Sequence, residues 1–416
     1  MLLNFRVRTA KLLSGFTSTF WIANILELFE RFAYYGSKAI LAVFIADKVG
    51  LKEEAGFLSG LFNTILFSLP IVAGVFVDKY GFKRTLMFCF AIFCIGYFLI
   101  GAAGMGWGFE NIVGKKTYLI FALVFTAIGG SLIKPCIVGT VSLTSKLDAK
   151  ALGFSIYYTL VNFGGAIGPI IAYYVRQDLG IEFVLMMSSI TSLLLFFGAW
   201  FFYNEPPEAA QVEKKTFGKI FTDMLLVLGN LKFMLFLLIF SGFWIMFWQI
   251  YYSFPFYVKD VLHYDAFEFL ETVDAWCIIL LTIPITSLVR KWKPFTAMIV
   301  GFTIASLSWM IIGAGGTLTA AIIGVAVFAI GESTQAPRFY EYVSSLAPKD
   351  QVGTFMGFAF LPIAIGSFIA GIVADWLRSS YLESHPAMMW YILSGIGLVS
   401  TLLLIIYNSV FSKSTQ

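Results

Sequence analysis

The chain has 416 residues, of which 59% are hydrophobic, 18% aromatic and only 12% charged, with a formal net charge of +4. So little charge excludes a water-soluble enzyme of this length and describes a chain whose main solvent is lipid. The small positive excess gives no reason to expect a nucleic-acid partner.

A bilayer crossing takes about 20 apolar residues, and on that measure the sequence divides into twelve transmembrane helices of an all-α membrane protein. Ahead of them stand Arg6, Arg8 and Lys11, with no short apolar core and small-residue cleavage site, so the first span itself is expected to direct insertion. That span, at about 19–46, contains Glu27-Leu28-Phe29-Glu30-Arg31-Phe32-Ala33-Tyr34-Tyr35-Gly36, with two acids and a cation in an otherwise apolar run. A charge at membrane depth costs about 2.5–3.5 kcal/mol and usually faces a polar cavity. Glu27, Glu30, Arg31, Tyr34 and Lys38 fall at helical spacing on one face, which reads as the wall of a transport site. The alternative is a static buried ion network that only fixes helix packing, although such networks are often no more stabilising than apolar substitutes.

Further spans are expected at about 55–77, 85–105, 117–144, 151–175, 183–203, 231–258, 267–289, 294–314, 318–346, 352–377 and 387–411. Between the second and third lies Gly74-Val75-Phe76-Val77-Asp78-Lys79-Tyr80-Gly81-Phe82-Lys83-Arg84. The polar stretch from Asn204 to about Asp223 separates six spans from six, giving an N-terminal six-helix bundle (1–203), a cytoplasmic linker (204–230) and a C-terminal six-helix bundle (231–416). The halves repeat at an offset of 202 residues, pairing Gly129 with Gly331, Ser131 with Ser333, Pro135 with Pro337, Ser142 with Ser344, Asp148 with Asp350, Gly164 with Gly366 and Ala172 with Ala374. Parallel six-span repeats around a midplane site are the build of a rocker-type secondary transporter.

Basic residues set the orientation. One side collects Arg6, Arg8, Lys11, Lys79, Lys83, Arg84, Lys146, Lys150, Lys214, Lys215, Lys219, Lys232, Arg290, Lys291, Lys293, Lys349 and Lys413. The other has only Lys48, Lys52, Lys115, Lys116, Arg176, Lys259 and Arg378. The positive-inside rule then places both termini in the cytoplasm. Cys89, Cys94, Cys136 and Cys277 lie in apolar stretches without metal-type spacing and read as free thiols, so no metal or other cofactor is expected. His263 and His385 fall in external loops, leaving any proton work to carboxylates.

The loop at Asp78 resembles the G-x-x-x-D-[RK]-x-G-x-[RK]-[RK] loop of the major facilitator superfamily, which implies that family's fold of two six-helix bundles. It also implies that Asp78 caps a helix of the other half and, with Lys79 and Arg84, forms a cytoplasmic gate. The alternative for Lys79, Lys83 and Arg84 is an orientation signal alone. Glu27-x-x-Glu30-Arg31-Phe32-x-Tyr34-Tyr35-Gly36 is similar, within that superfamily, to the E-x-x-E-R-F-x-Y-Y-G motif of the proton-dependent oligopeptide transporters. Gly129-Gly130-Ser131-Leu132-Ile133-Lys134-Pro135-Cys136 resembles that family's fourth span, and Phe154 to Gly164, with Tyr157 and Asn162, its fifth. Gly331-Glu332 with Pro337 resembles its tenth.

The resemblance implies alternating access in which a proton travels with a di- or tripeptide or a related small zwitterion, without enzymatic chemistry. Proton coupling would rest on Glu27, Glu30, Arg31, Lys134 and Glu332. Burial disfavours a charged carboxylate and an approaching cation restores it, so moving Arg31 or Lys134 loads or releases a proton. Substrate would be held by Tyr34, Tyr35, Lys38, Tyr157, Asn162, Trp244, Trp248, Gln249, Asp274 and Glu332. Arg338 and Glu341, an i, i+3 pair at the end of the tenth span, read equally as gate or as local snorkelling pair. Four positions depart from the family pattern: Lys38 stands where arginine is usual, Trp248 where an acid is, Asp274 where asparagine is, and Ala359 where tryptophan is. Trp244, Trp248, Tyr251 and Tyr252 could line a pocket or serve as interface anchors.

Two other functions stay open. Gly164-x-x-x-Gly168-Pro169 partly resembles an antiporter motif, pointing to a proton-driven exporter of a non-peptide molecule, although small residues also serve close packing. A non-transporting membrane sensor is the third reading. The expected setting is the bacterial inner membrane, with the protein a monomer whose partners are lipid, protons and a small solute.

Overall fold

The structure, a computed structural model, describes residues 15–147, 149–207, 217–348 and 351–411. Arg6, Arg8, Lys11, Lys214, Lys215, Lys349 and Lys413 of the charge bias, and the repeat pair Asp148 and Asp350, lie outside the described residues. The described residues are helical almost throughout, their one extended feature being an isolated bridge between Phe16 and Ser145. Helices are what a bilayer demands, since every backbone N–H and C=O must be bonded within the segment.

The first helix, α1 (Ser18–Val43), is capped by Thr17, whose side chain accepts from Phe20 N, and runs into a π-helical turn at Phe44–Lys48. There follow α2 (Ala55–Ser68), α3 (Pro70–Tyr80), α4 (Phe82–Ala102), α5 (Lys115–Gly130), α6 (Ile133–Leu143), α7 (Lys150–Asp178) and α8 (Ile181–Phe202). After the short α9 (Phe217–Leu228), the second set is α10 (Leu231–Tyr252), α11 (Phe267–Val289), α12 (Pro294–Gly315), α13 (Leu318–Leu346), α14 (Val352–Phe358), α15 (Leu361–Tyr381) and α16 (Pro386–Phe411). Among the described residues ten helices are long and apolar enough to cross a membrane, and the bent pair α2–α3 makes an eleventh if it is one span. The 26-residue α1 is as long as these but carries Glu27, Glu30, Arg31 and Lys38, which sets it apart from an apolar count.

Where the sequence suggests uninterrupted helices, three spans have an interruption, and only the second is sharply bent by it. The second bends by 50° between α2 and α3, because Pro70 has no N–H to continue the ladder. The fourth is interrupted after Gly129 and Gly130, ahead of Pro135, so that Lys134 lies in the first turn of a new helix, α6. The eleventh breaks between α14 and α15 ahead of Pro362. Pro169 and Pro337, by contrast, sit inside the unbroken α7 and α13. The seventh span extends to Val261 and ends in a second π-helical turn, Tyr257–Val261, as α1 does at Phe44–Lys48. The two turns meet, with Lys259 of one paired to Asp47 of the other. The stretch expected to be linker is helical at α9, and its first part folds back, with Glu205 accepting from Phe82 N at 2.6 Å and Lys83 N at 2.8 Å to cap α4.

Packing repeats between the two sets of helices. α1 packs on α7 as α10 does on α15; α4 packs on α8 as α12 does on α16; and α4 packs on α5 as α12 does on α13. The sets meet along two lines, α2 against α15 and α7 against α11. The first line is a close approach of backbones: a Cβ on Gly60 would lie 2.7 Å from Ser367 O, and one on Gly371 would collide with Gly56 O. Asp375 of α15 then accepts from Gly56 N at 2.8 Å and Phe57 N at 2.7 Å, satisfying two of the amide donors that the start of α2 would otherwise leave unpaired.

Gly371→Val is expected to wedge α2 from α15. The protein should still insert and fold, but a cysteine placed at the buried Ser59 should become reactive to a membrane-impermeant maleimide. No gain in labelling over the Gly371 parent would contradict this account of the α2–α15 seam.

Candidate functional site

The charged face of α1 is buried. Arg31 Nε donates to Glu30 Oε2 at 2.5 Å and stands 3.3 Å from Glu27 Oε1, an ion-pair distance without a hydrogen bond. Glu27 is fully buried and neither of its oxygens has a hydrogen-bond partner. The Arg31 guanidinium also lies 4.8 Å from the centroid of the Tyr34 ring. Gly164 of α7 packs directly on the Arg31 side chain and Gly168 on the Phe32 carbonyl, where a Cβ would lie 2.9 Å from the oxygen. Those two glycines thus serve the close packing of α7 on α1.

Around this cluster the expected residues fall into groups. Lys134, half-buried at the start of α6, has its ammonium 5.2 Å from the centroids of the Phe67 and Phe360 rings, and Arg31, Glu27 and Glu30 dominate its electrostatic surroundings. Tyr157 is half-buried on α7 within the field of Glu27 and Arg31. Asn162 bonds its own helix, donating to Tyr158 O at 2.8 Å. Tyr35 lies beside Tyr34, with centroids 5.2 Å apart.

One helical turn on, Lys38 enters an aromatic cage. Its ammonium is 3.6 Å from the Tyr251 centroid, 4.4 Å from Trp248, 5.2 Å from Phe247 and 5.3 Å from Tyr35. Trp248 therefore supplies a π face where an acid was expected. It is held in place by stacking on Tyr252 at 5.6 Å and by donation from Nε1 to Ile363 O at 3.2 Å. Facing the cage are the acids of the second set. Asp274 on α11 is buried with Oδ1 unpartnered, and Glu332 on α13 has Oε2 unpartnered. Beside Glu332 a cavity of about 280 Å³ is lined by Tyr158, Ile278, Thr282, Ser333, Ala336, Pro337 and Tyr340. It joins α7, α11 and α13 in a mostly apolar wall with one acid. Trp244 is half-buried, with its Nε1 unpartnered.

Some expected residues are not brought to this centre. Gln249 is fully buried in the α10–α15 contact, donating to Ala370 O at 3.0 Å and accepting from Ser253 Oγ. Arg338 donates to Glu341 and, through Nη2, to Val289 O and Arg290 O at 2.8 Å each, so the pair ties α13 to the end of α11 in its own set. Asp78 is half-buried at the end of α3, which packs against α14, while Lys79 and Arg84 are exposed.

At the opposite end from Asp78, a network runs across both sets. Tyr34 Oη donates to Asn63 Oδ1 at 3.1 Å, Asn63 Nδ2 donates to Tyr252 Oη at 2.9 Å, and Tyr252 lies 2.7 Å from Ser367 Oγ. Further out, Arg176 Nε donates to Glu268 Oε1 at 2.5 Å and Gln177 Nε2 to Asp265 Oδ2 at 2.6 Å. Asp375 with Arg378, at 3.0 Å, completes the seal on α2. Asn63, Glu268, Asp375 and Glu271, another buried acid of α11, escape a sequence reading because each sits at a span edge or reads as an ordinary polar residue.

Comparison with known proteins places the chain among transporters. The Major Facilitator Superfamily description matches residues 21–371. Dipeptide and tripeptide permease B of Aliivibrio fischeri is 31% identical over 183 residues, 41% of this chain, and the match spans about a third, 34%, of that permease. Multidrug resistance protein MdtH of Blochmanniella floridana is 24% identical over 382 residues, 91% of this chain and 92% of that one. Among solved structures, a POT family transporter in complex with 5-aminolevulinic acid superposes with a TM-score of 0.76 at 16% identity, covering 94% of this chain and 96% of that one. A peptide transporter POT bound to sulfate gives a TM-score of 0.74 at 17% identity, covering 94% of each. At these identities the structures show the shared fold, and with the permease relatives they bear out the resemblance to the oligopeptide transporters.

Arg31→Met leaves Glu27 and Glu30 buried with no cation within ion-pair distance, a change that typically costs about 3–5 kcal/mol. Protonating the acids removes the uncompensated charge, so the loss in thermal stability should be greatest at alkaline pH and shrink as pH falls. A stability deficit independent of pH, measured by scanning fluorimetry in detergent, would sink the ion-pair account.

Proposed function

The chain belongs to the Major Facilitator Superfamily, and from that premise we propose that it is a proton-coupled secondary active symporter importing di- or tripeptides or a related small zwitterion by alternating access. As an integral membrane protein of a transporter family it moves solutes and is not an enzyme. The reading takes α1 as the twelfth span and divides the chain into six-helix bundles at 1–203 and 231–416 joined by 204–230. The repeated packing of the two helix sets supports this division.

The observation that carries the function is the burial of Glu27, Glu30 and Arg31 on α1 together with the buried acids Asp274 and Glu332 of the second set, which lie in the field of Lys38 on that same helix. A solute with an ammonium and a carboxylate could satisfy both sides: Arg31 and Lys134 would hold the acid end, Glu332 and Asp274 the amine. The apolar and tyrosine-lined cavity beside Glu332 is suited to a side chain. Proton binding to Glu27 or Glu30 would free Arg31 for the solute carboxylate, which links the proton to the load. In this reading the sealed end is external, both termini are cytoplasmic, and Asp78 with its cations forms the inner gate. The protein acts as a monomer in a bacterial inner membrane, a location that the bacterial relatives support.

A second reading, proton-driven export of a non-peptide molecule, is favoured by one observation: the similarity to a multidrug resistance protein extends over nearly the whole chain. Counterflow separates the two. In liposomes with a trapped pH dye and an inside-negative potential, a mixed di- and tripeptide pool is expected to acidify the lumen, and Glu27→Gln to reduce this to background. Folded wild-type protein that gives no peptide-driven acidification would reject the symporter and turn the search to exported substrates.

A further inference from the structure

Among the described residues, Lys38 and Glu271 are two of the buried charges that lack an ion-pair partner. Lys38 is 7% exposed and meets only aromatic rings. Glu271, one turn into α11, is 2% exposed, and neither of its carboxyl oxygens has a hydrogen-bond partner. A lone buried charge of either sign is strongly unfavourable, and groups in that position neutralise or find a counter-ion. α1 packs on α11, and among the acids Glu271 acts most strongly on Lys38, ahead of Asp274 and Glu332.

The surroundings of Glu271 leave it no other cation. From α10 comes Tyr251 and from its own helix Glu268 and, one turn on, Asp274, while Arg176 of α7 is committed to Glu268 and Asp265. One lysine therefore stands against Glu271, Asp274 and Glu332. With the outer seal closed and Lys38 withdrawn among the rings, the surplus acids can stay buried only as neutral carboxyls. Glu271 also lies between the Arg176–Glu268 pair of the seal and the central acids, on the route a proton would take inward.

We propose that Glu271 is a proton-binding site separate from the Glu27–Glu30 cluster, and that Lys38 is the cation that takes the proton's place. This rests on the proton-coupled reading above. With the seal open, the carboxylate takes a proton from external water, forming an O–H bond, and carries it into the closed state. On release that bond breaks, the proton passes to water in the central cavity, and the carboxylate accepts an N–H of Lys38. When the seal reopens the ion pair separates, Lys38 returns to the rings, and the carboxylate is free for the next proton.

The test uses the full chain in liposomes without added substrate, comparing infrared pH-difference spectra of wild type, Glu271→Gln and Glu27→Gln. A component of the protonated-carboxyl band that Glu271→Gln loses and Glu27→Gln keeps is expected; an undiminished band in Glu271→Gln overturns the proposal. Should Glu271→Gln not fold, Lys38→Met is read in the same way: the pH midpoint of the band must move, and an unmoved midpoint overturns the proposal. With the mixed peptide pool, reversal potentials should show one proton fewer per cycle in Glu271→Gln, and an unchanged proton count counts against it. Proton flux absent from wild type while the band still titrates would reject the symporter and leave the Glu271 site standing.

Discussion

No water reaches the hydrocarbon core of a bilayer, so every charge placed there must be answered by another group of the chain, and that demand organises this molecule. Arg31 is the clearest case. Its guanidinium lies within ion-pair distance of both Glu27 and Glu30 and beside the Tyr34 ring, which holds three charges and an aromatic in one register of α1. The packing of α7 follows from it, since Gly164 offers the one shape that lets a helix rest on the Arg31 side chain. Lys38, about two turns further along, has no acid within ion-pair distance and is answered by π faces instead.

The same demand shapes the seam between the helix sets. Bringing α2 against α15 requires Gly56, Gly60 and Gly371, and the approach exposes the first amides of α2 to a low-dielectric contact. Asp375 satisfies them, and Arg378 balances Asp375. Along the other seam Arg176 bridges from α7 to Asp265 and Glu268 at the start of α11. Each bond joins one set to the other through few atoms with good geometry. Such contacts are strong when made, yet can be exchanged as units, which is what a structure with two alternative closures needs.

Much of the fold was legible in the residues. Spans at 267–289 and 318–346 are found at those bounds, and most others start or stop within a few residues of expectation, because apolar length is a property of the local sequence. The breaks at Pro70 and ahead of Pro135 and Pro362 were less legible: Pro169 and Pro337 carry the same chemistry without a break. Whether a proline interrupts a helix depends on what neighbouring helices do with the freed carbonyl. At the site, the charged face of α1 was written in its i, i+3, i+4 spacing. Glu271 was not, because an acid four residues into a span looks like a membrane-edge residue until α1, α7 and α13 are packed on α11.

Sequence alone therefore determined what local rules govern: lipid as the solvent, the rough limits of the apolar helices, the internal repeat and the clustering of Glu27, Glu30, Arg31 and Lys38 on one helix face. Tertiary structure decided which of those charges found partners. Arg31 met its acids within its own helix turn, whereas most of the surroundings of Lys38 come from α10, α11 and α13, more than 200 residues away in the chain. Gln249 and Arg338 carry the right chemistry for a site, but packing within their own helix set commits them elsewhere. The division has a physical reason: helical periodicity is fixed by neighbours three and four residues apart, while the partner of a buried charge is set by whichever helix packs against it.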